Sequence, residues 1–187
     1  MGKVFSEYEL LEIGIKFVED EAFTSIQCIG SGEDTADVKV IKKMCRGVVK
    51  KKRVKATGTG VVKMSMHCPW DVFTKMFGMK DEKLIDGVYA YGENSRHEVF
   101  CMVQKVEDED GNIKFKAYPN CIIETGKATK VENGAEEVAE IEIEVAYSPD
   151  DYGNGSYEAL VDEMTEDALK TTWMTAFKPE LVRVTNA

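Results

Sequence analysis

Residues 138–147 read VAEIEIEVAY: Ile141, Ile143, Val145 and Tyr147 fall on one side of an extended chain, and Glu140, Glu142 and Glu144 on the other. Successive side chains of a strand point to opposite faces, so this stretch predicts a strand with one apolar and one acidic face. Such strict alternation belongs to half-buried antiparallel sheet, core on one side and water on the other. Working outward, Asp110-Gly111 and Asn133-Gly134 are dipeptides suited to the positive backbone angles of tight hairpin turns. They link residues 99–106, 113–124 and 138–147 into an antiparallel meander.

The first half has the same period. Ile13, Ile15 and Phe17 alternate with Glu12, Gly14 and Lys16, and an apolar run over 22–29 follows the acidic turn at 19–21, which predicts an opening antiparallel pair. Residues 30–34, GSGED, read as a polar loop. Val38, Val40, Val48, Val49 and Val54 then favour strand within a basic extended hairpin or loop at about 38–60, and Val62, Met64 and Met66 alternate as a strand after Gly60. One helix is expected from Pro69 to Gly78. A proline at its start forfeits no hydrogen bond. Trp70, Val72, Phe73, Met76 and Phe77 give it a broad apolar face to lay on a sheet, while Asp71 and Lys75 match its dipole. Residues 150–156 are turn-rich, and 157–164 read as a short helix through Leu160, Val161 and Met164. The C-terminal tail, about 165–187, is too apolar for free coil over 171–184, with Trp173, Met174, Phe177, Leu181 and Val182, and is expected to dock on its own subunit or a neighbour. The expected fold is therefore mainly β with a flanking α-helix (α+β), an antiparallel β-sandwich or partial barrel, in a single domain over 1–187.

Composition sets the limits. With 43% hydrophobic and 31% charged residues the 187-residue chain has an ordinary globular composition, and no apolar run approaches the ~20 residues that span a bilayer, so no membrane partner is expected. The start, MGKVFSEYEL, lacks the apolar stretch and cleavage site of a secretory signal, and the protein is expected to stay where it is made. Cys28, Cys45, Cys68, Cys101 and Cys121 are odd in number and contain no C-x-x-C pair, which excludes a full disulfide framework and reads as small buried hydrophobes in strands.

Charge is segregated along the chain. The net charge is −10, yet from Val38 to Trp70 there is no Asp or Glu, while Lys39, Lys42, Lys43, Arg46, Lys50, Lys51, Lys52, Arg53, Lys55 and Lys63 contribute ten cations. Such a block can bind nucleic acid, contact an acidic partner or form a solvated face. It has no interleaved aromatics to stack on bases, and the rest of the chain carries complementary acid, so a protein partner is favoured.

No motif carries catalysis, and the chain is expected not to be an enzyme. Gly58-Thr59-Gly60 lacks the GK[ST] ending of a phosphate loop. Asp108, Asp110 and Gly111 resemble part of a calcium loop, but its first and twelfth positions would be Val106 and Ala117, so a hairpin turn is the better account. Glu140, Glu142 and Glu144 are regularly spaced equivalents with no reason for their pKa values to diverge, and no nucleophile or orienting acid is placed beside His97. With only His67 and His97 beside scattered cysteines, no metal ligand set is assigned, and no cofactor is implied.

A resemblance enters here. The stretches IDGVYAYGENSRHEVF, EDEDGNIKFKAYPNCII and ENGAEEVAEIEIEVAYSPDDYGNGSYEAL, with VKMSMHCPWDVFTKMFGM before them, resemble in order and spacing the major tail proteins, or tail tube proteins, of non-contractile long-tailed bacteriophages. The similarity covers residues 58–160, and the basic hairpin lies outside it. The resemblance implies a virion protein of a siphovirus tail, made and assembled in the bacterial host cytoplasm, forming hexameric rings that stack into the tube for DNA ejection. Its implied partners are further copies of itself and the tape-measure, tail-terminator and distal tail proteins, with DNA passing without specific binding. A related ring protein of a secretion or contractile injection apparatus and a nucleic-acid-binding protein are the alternatives. Under the tube reading, Lys50, Lys51, Lys52 and Arg53 are expected to contact Glu107, Asp108 and Asp110 of a subunit in the next ring, and Glu140, Glu142 and Glu144 to face the lumen or another wet surface.

Overall fold

The computed structural model describes residues 4–134 and 136–184; the last three positions of the expected C-terminal tail lie outside it. Eight strands form one antiparallel sheet: β1 (Glu9–Phe17), β2 (Thr24–Ile26), β3 (Ile29–Cys45), β4 (Val48–Met66), β5 (Phe100–Glu107), β6 (Ile113–Ile123), β7 (Ile141–Ser148) and β8 (Tyr157–Leu160). Their order is β2-β1-β5-β6-β7-β4-β3, with β8 on the remaining edge of β6. Helix α1 (Trp70–Met76) covers one face and α2 (Asp167–Ala176) the other. The expected class, mainly β with a flanking helix, is what the chain adopts.

The sheet rolls up. β3 and β6 stand three positions apart, roughly 14 Å in a flat sheet, yet the Tyr118 hydroxyl of β6 donates to Asp34 of β3 at 2.7 Å. At the seam, a Cβ placed on Gly32 of β3 would lie 3.0 Å from Leu10 of β1. This is the partial-barrel form of the expectation, one sheet and not two facing ones. Its interior is filled by the alternate residues of the sequence pattern: Ile13, Ile15 and Phe17, Val62, Met64 and Met66, Met102, and Ile143, Val145 and Tyr147, closed by Val72, Phe73 and Met76 of α1 and by Phe77 just after it. Burying each such aliphatic or aromatic side chain contributes about 1.5–3 kcal/mol.

Four local expectations are corrected. Residues 30–34 are strand, because their backbone pairs with β4 in register (Ser31 with Ser65, Asp34 with Val62); the glycines mark close approach instead of a loop, and a side chain on Gly30 would overlap the Glu140 carboxylate. Residues 157–160 are strand and only Val161–Glu163 is helical, as a single 3-10 turn. β7 pairs with β6 only from Asn120 to Ile123, which leaves the Lys114–Ala117 edge of β6 to accept Tyr157–Leu160. Asn133-Gly134 does turn, with Gly134 at φ 72°, but at the end of a stretch exposed from Glu124 to Gly134, so β7 starts at Ile141 and Glu140 precedes it. Trp70 is 58% exposed, stacked on Phe73 and edge-on to Tyr89, while the other apolar residues of α1 face the core.

The tail docks on its own subunit. Leu169, Trp173 and Phe177 recur every four residues around α2, and Trp173 and Phe177 are buried against Val103, Phe115 and Ala117 on the outer sheet face. The Trp173 indole N–H donates to the Lys116 carbonyl at 3.1 Å, so its one polar atom is satisfied.

Candidate assembly surface

Beyond residue 37 the β3–β4 hairpin leaves the body: from Val38 to Thr57 every side chain is exposed. Arg46 and Gly47, at φ 50° and 76°, form the tip, a two-residue turn with both angles positive, as hairpins of right-handed twist require. Residues directly opposite share a face. One face carries Val38 with Ala56, Val40 with Val54 and Lys42 with Lys52; the other carries Lys39 with Lys55, Ile41 with Arg53 and Lys43 with Lys51. Nearer the tip, the ladder shifts around Lys50, and Met44 opposes Val49.

This arm is ill suited to water alone. Val38, Val40, Ile41, Met44, Val48, Val49 and Val54 are each 42–57% exposed. Three lysine pairs face one another directly, an arrangement that destabilises a strand pair, and the segment contains no acid to relieve it. Elsewhere the chain holds fourteen basic side chains against thirty-four acidic ones.

The structure separates the acids expected to meet it. Asp110 and Glu109 are exposed at the tip of the β5–β6 turn, where Gly111 has φ 82°, and Glu107 is half-buried. Asp108 is buried. One of its carboxylate oxygens accepts the backbone N–H groups of Asp110 and Asn112, and the other accepts the Asn112 side-chain amide at 2.7 Å. It shapes the turn and offers a neighbour little.

Glu142 and Glu144 stand on the face of β7 opposite the core residues Ile143, Val145 and Tyr147. Glu144 pairs with Lys63, its register partner on β4, at 3.1 Å. Together with Glu140, Glu33, Glu132 and Glu137 they line an open groove of about 860 Å³ between β7 and the 124–140 connection, and its cations are Lys63 and Lys130, the latter paired with Glu132.

Groups weighed for chemistry have structural partners. His97 Nδ1 donates to the Ile123 carbonyl, and its Nε2 lies 3.1 Å from the Tyr91 hydroxyl, within hydrogen-bond distance. Burial pushes the Cys68 and Cys101 thiols up to about 12, well away from thiolate chemistry, and likewise holds the Cys121 thiol well above its ordinary value. Cys28 and Cys45 are exposed, against the reading of all five as buried. Among the described residues, no three His, Cys, Asp or Glu are grouped to hold a metal ion, and no helix is long and apolar enough to cross a membrane.

No protein-family model and no curated protein matches the chain. Among solved structures it is similar to a chain of the anti-feeding prophage baseplate, a 6-fold symmetrised cryo-EM structure, with 10% identity and a TM-score of 0.46 over 86% of this chain and 99% of that one. It is also similar to a chain of the tube-terminating cap of the anti-feeding prophage, at 9% identity and a TM-score of 0.41, over 86% and 97%. Neither likeness gives any residue a role.

Sequence reading missed the ties at the root of the arm. The hydroxyls of Tyr118 and Tyr147 both donate to Asp34, at 2.7 and 3.2 Å. No spacing rule links positions 34, 118 and 147; only the rolled sheet brings them together. The single hint is Gly60, whose missing side chain leaves room for the Tyr147 hydroxyl.

Proposed function

We propose that this protein is a structural subunit without catalytic activity that polymerises as stacked hexameric rings into a phage tail tube, the conduit for DNA ejection. One observation carries the reading: a wholly exposed, acid-free, half-apolar arm on an otherwise acidic body. Ring closure joins unlike patches of neighbouring copies, and stacking needs a second complementary pair of faces, top and bottom. The arm and the acidic body supply unlike patches within one chain. Lys50, Lys51, Lys52 and Arg53 would meet acids such as Glu107, Glu109 and Asp110 of a copy in the next ring, while Glu140, Glu142 and Glu144 face a lumen that repels phosphate. The resemblance of residues 58–160 to siphovirus major tail proteins supports the same reading and its tape-measure, terminator and distal tail partners.

The test is light scattering across protein concentration, with negative-stain microscopy of the same samples. Rings or tubes are expected. A chain that stays monomeric at every concentration, with and without tail partners, would refute the proposal. The exposed cations also favour a nucleic-acid-binding reading, which predicts a DNA affinity that falls steeply with salt and is lost with the arm lysines.

A further inference from the structure

The arm is wholly exposed, yet its root is fixed by two sets of polar contacts with no counterpart further out. At the boundary the ladder breaks: Ala36 pairs with Gly60 and Val38 with Ala56, so Asp37 alone opposes Thr57, Gly58 and Thr59. Asp37 fills the gap. Its carbonyl accepts the Thr57 hydroxyl at 3.0 Å, and its carboxylate accepts the Thr59 hydroxyl at 3.0 Å. Gly58 takes φ 78° in the break, its backbone packed so closely on Gly155 that a Cβ on Gly155 would overlap the Gly58 carbonyl. A break of this kind bends and twists a strand pair.

One turn of the pleat nearer the body, Asp34 accepts from Tyr118 and Tyr147, whose rings lie in the core 5.1 Å apart, on β6 and β7. β3 is the last strand of the sheet, held along its length by β4 alone. These two bonds tie it across β4 to β7 and β6. Burial, and next the Asp34 charge, raise both phenol pKa values, so both hydroxyls keep their protons and remain donors.

We infer that Asp34 is a positioning residue: held by Tyr118 and Tyr147, it latches the base of the arm to the barrel core, and the break at Asp37 and Thr57–Thr59 is the joint at which the arm's direction is set. The latch governs how a second copy of this chain is met, and in that respect it rests on the assembly reading above. Its physical content does not.

The experiment is backbone hydrogen exchange on the full chain, comparing wild type with Asp34→Ala, which removes both acceptors, and with Asp34→Asn, which keeps one acceptor oxygen. In Asp34→Ala, amides 31–36 and 60–65 are expected to exchange about tenfold faster or more, while amides 102–106 in the centre of the sheet are unchanged. Asp34→Asn should fall between. Exchange at 31–36 equal to wild type in Asp34→Ala overturns the latch. If Asp34→Ala loses protection throughout, Tyr147→Phe, which deletes one donor, decides: a rise confined to the root supports the inference, and an unchanged root overturns it. Polymerisation is measured on the same samples. A loosened root with unaltered polymerisation overturns the positioning role, and a wild type that never polymerises removes the assembly reading while exchange still settles the latch.

Discussion

At Gly60 the Tyr147 hydroxyl and the Thr35 carbonyl occupy the volume that an added methyl group needs, and the carbonyl belongs to backbone that is itself paired. Gly60→Ala therefore has to displace both, and should destabilise the fold by about 1–3 kcal/mol, read as a lower urea midpoint with an unchanged slope. Glu7 gives a different residue-scale test. Partial burial raises its pKa, but hydrogen bonds and charge from Lys114 and Lys116 outweigh that and leave it below the usual carboxylate value. Lys116 is itself buried and reaches both Glu7 oxygens, at 2.7 and 2.9 Å. A depressed carboxylate pKa contributes stability that is present above the unfolded value, near 4.5, and is lost as pH falls through the folded one. Unfolding from pH 7 to 3 should thus show Glu7→Gln less stable than wild type at pH 7, with the gap narrowing below about 4.5. A gap that does not depend on pH would show that the contact is not ionic. None of this was legible beforehand. Glu7, Asp34 and Asp108 look like surface acids in the sequence, and only the rolled sheet and the tight turn aim them at buried partners.

Elements were legible where a period repeats and unreadable where pairing decides. The alternation in β1, the end of β4 and β7 gave the sheet and its core face, and Pro69 to Gly78 bounded α1 to within about two residues. The segment at 30–34 and β8 carry turn-like or helix-like residues, yet each lies beside an unsatisfied strand edge, and satisfying backbone hydrogen bonds outweighs propensity. α2 had a readable signal in Leu169, Trp173 and Phe177, masked by taking the segment only as an apolar tail. The basic segment at about 38–60 reads in the sequence as an extended hairpin or loop, with no signal for where a tip would fall. Arg46 sits there at φ 50°, a left-handed conformation costing a side chain of its kind roughly 1–2 kcal/mol. Arg46→Asn, better tolerated in that region, should slow hydrogen exchange of amides 44–49 while leaving the unfolding midpoint of the body unchanged. Equal exchange in the two proteins would show that the tip is not strained.

For the whole molecule, the question is how many weak contacts make an assembly. An exposed ion pair contributes ~0.2–1 kcal/mol and is screened by salt, so under the proposed assembly one arm would hold a neighbour weakly, and repetition around a ring would make the sum matter. Polymer formation should accordingly decline as salt rises. Replacing Lys50, Lys51 and Lys52 together with glutamate should block stacking while the melting temperature does not fall below that of wild type, because all three side chains are exposed and the strand residues opposite Lys51 and Lys52 are the like-charged Lys43 and Lys42. Normal polymerisation of that variant at low salt would place the contact elsewhere.

The remaining prediction concerns the acidic face of β7, where lumen lining and a merely solvated exterior have the same sequence signature. A conduit must let DNA slide, and carboxylates repel phosphate where cations would hold it by releasing its counterions. Glu144 is a poor probe, since its pairing with Lys63 means that a lysine there would set two cations opposite each other and disturb the sheet. Glu140 and Glu142 have no such partner on β4 and share the groove with Glu33 and Glu137. Glu140→Lys with Glu142→Lys should therefore fold and polymerise as wild type does, yet slow DNA ejection from assembled particles, most clearly at low salt, where phosphate neutralisation is strongest. Ejection at the wild-type rate from fully assembled particles, or this face found on the outside of the tube, would make the row of carboxylates an ordinary wet surface.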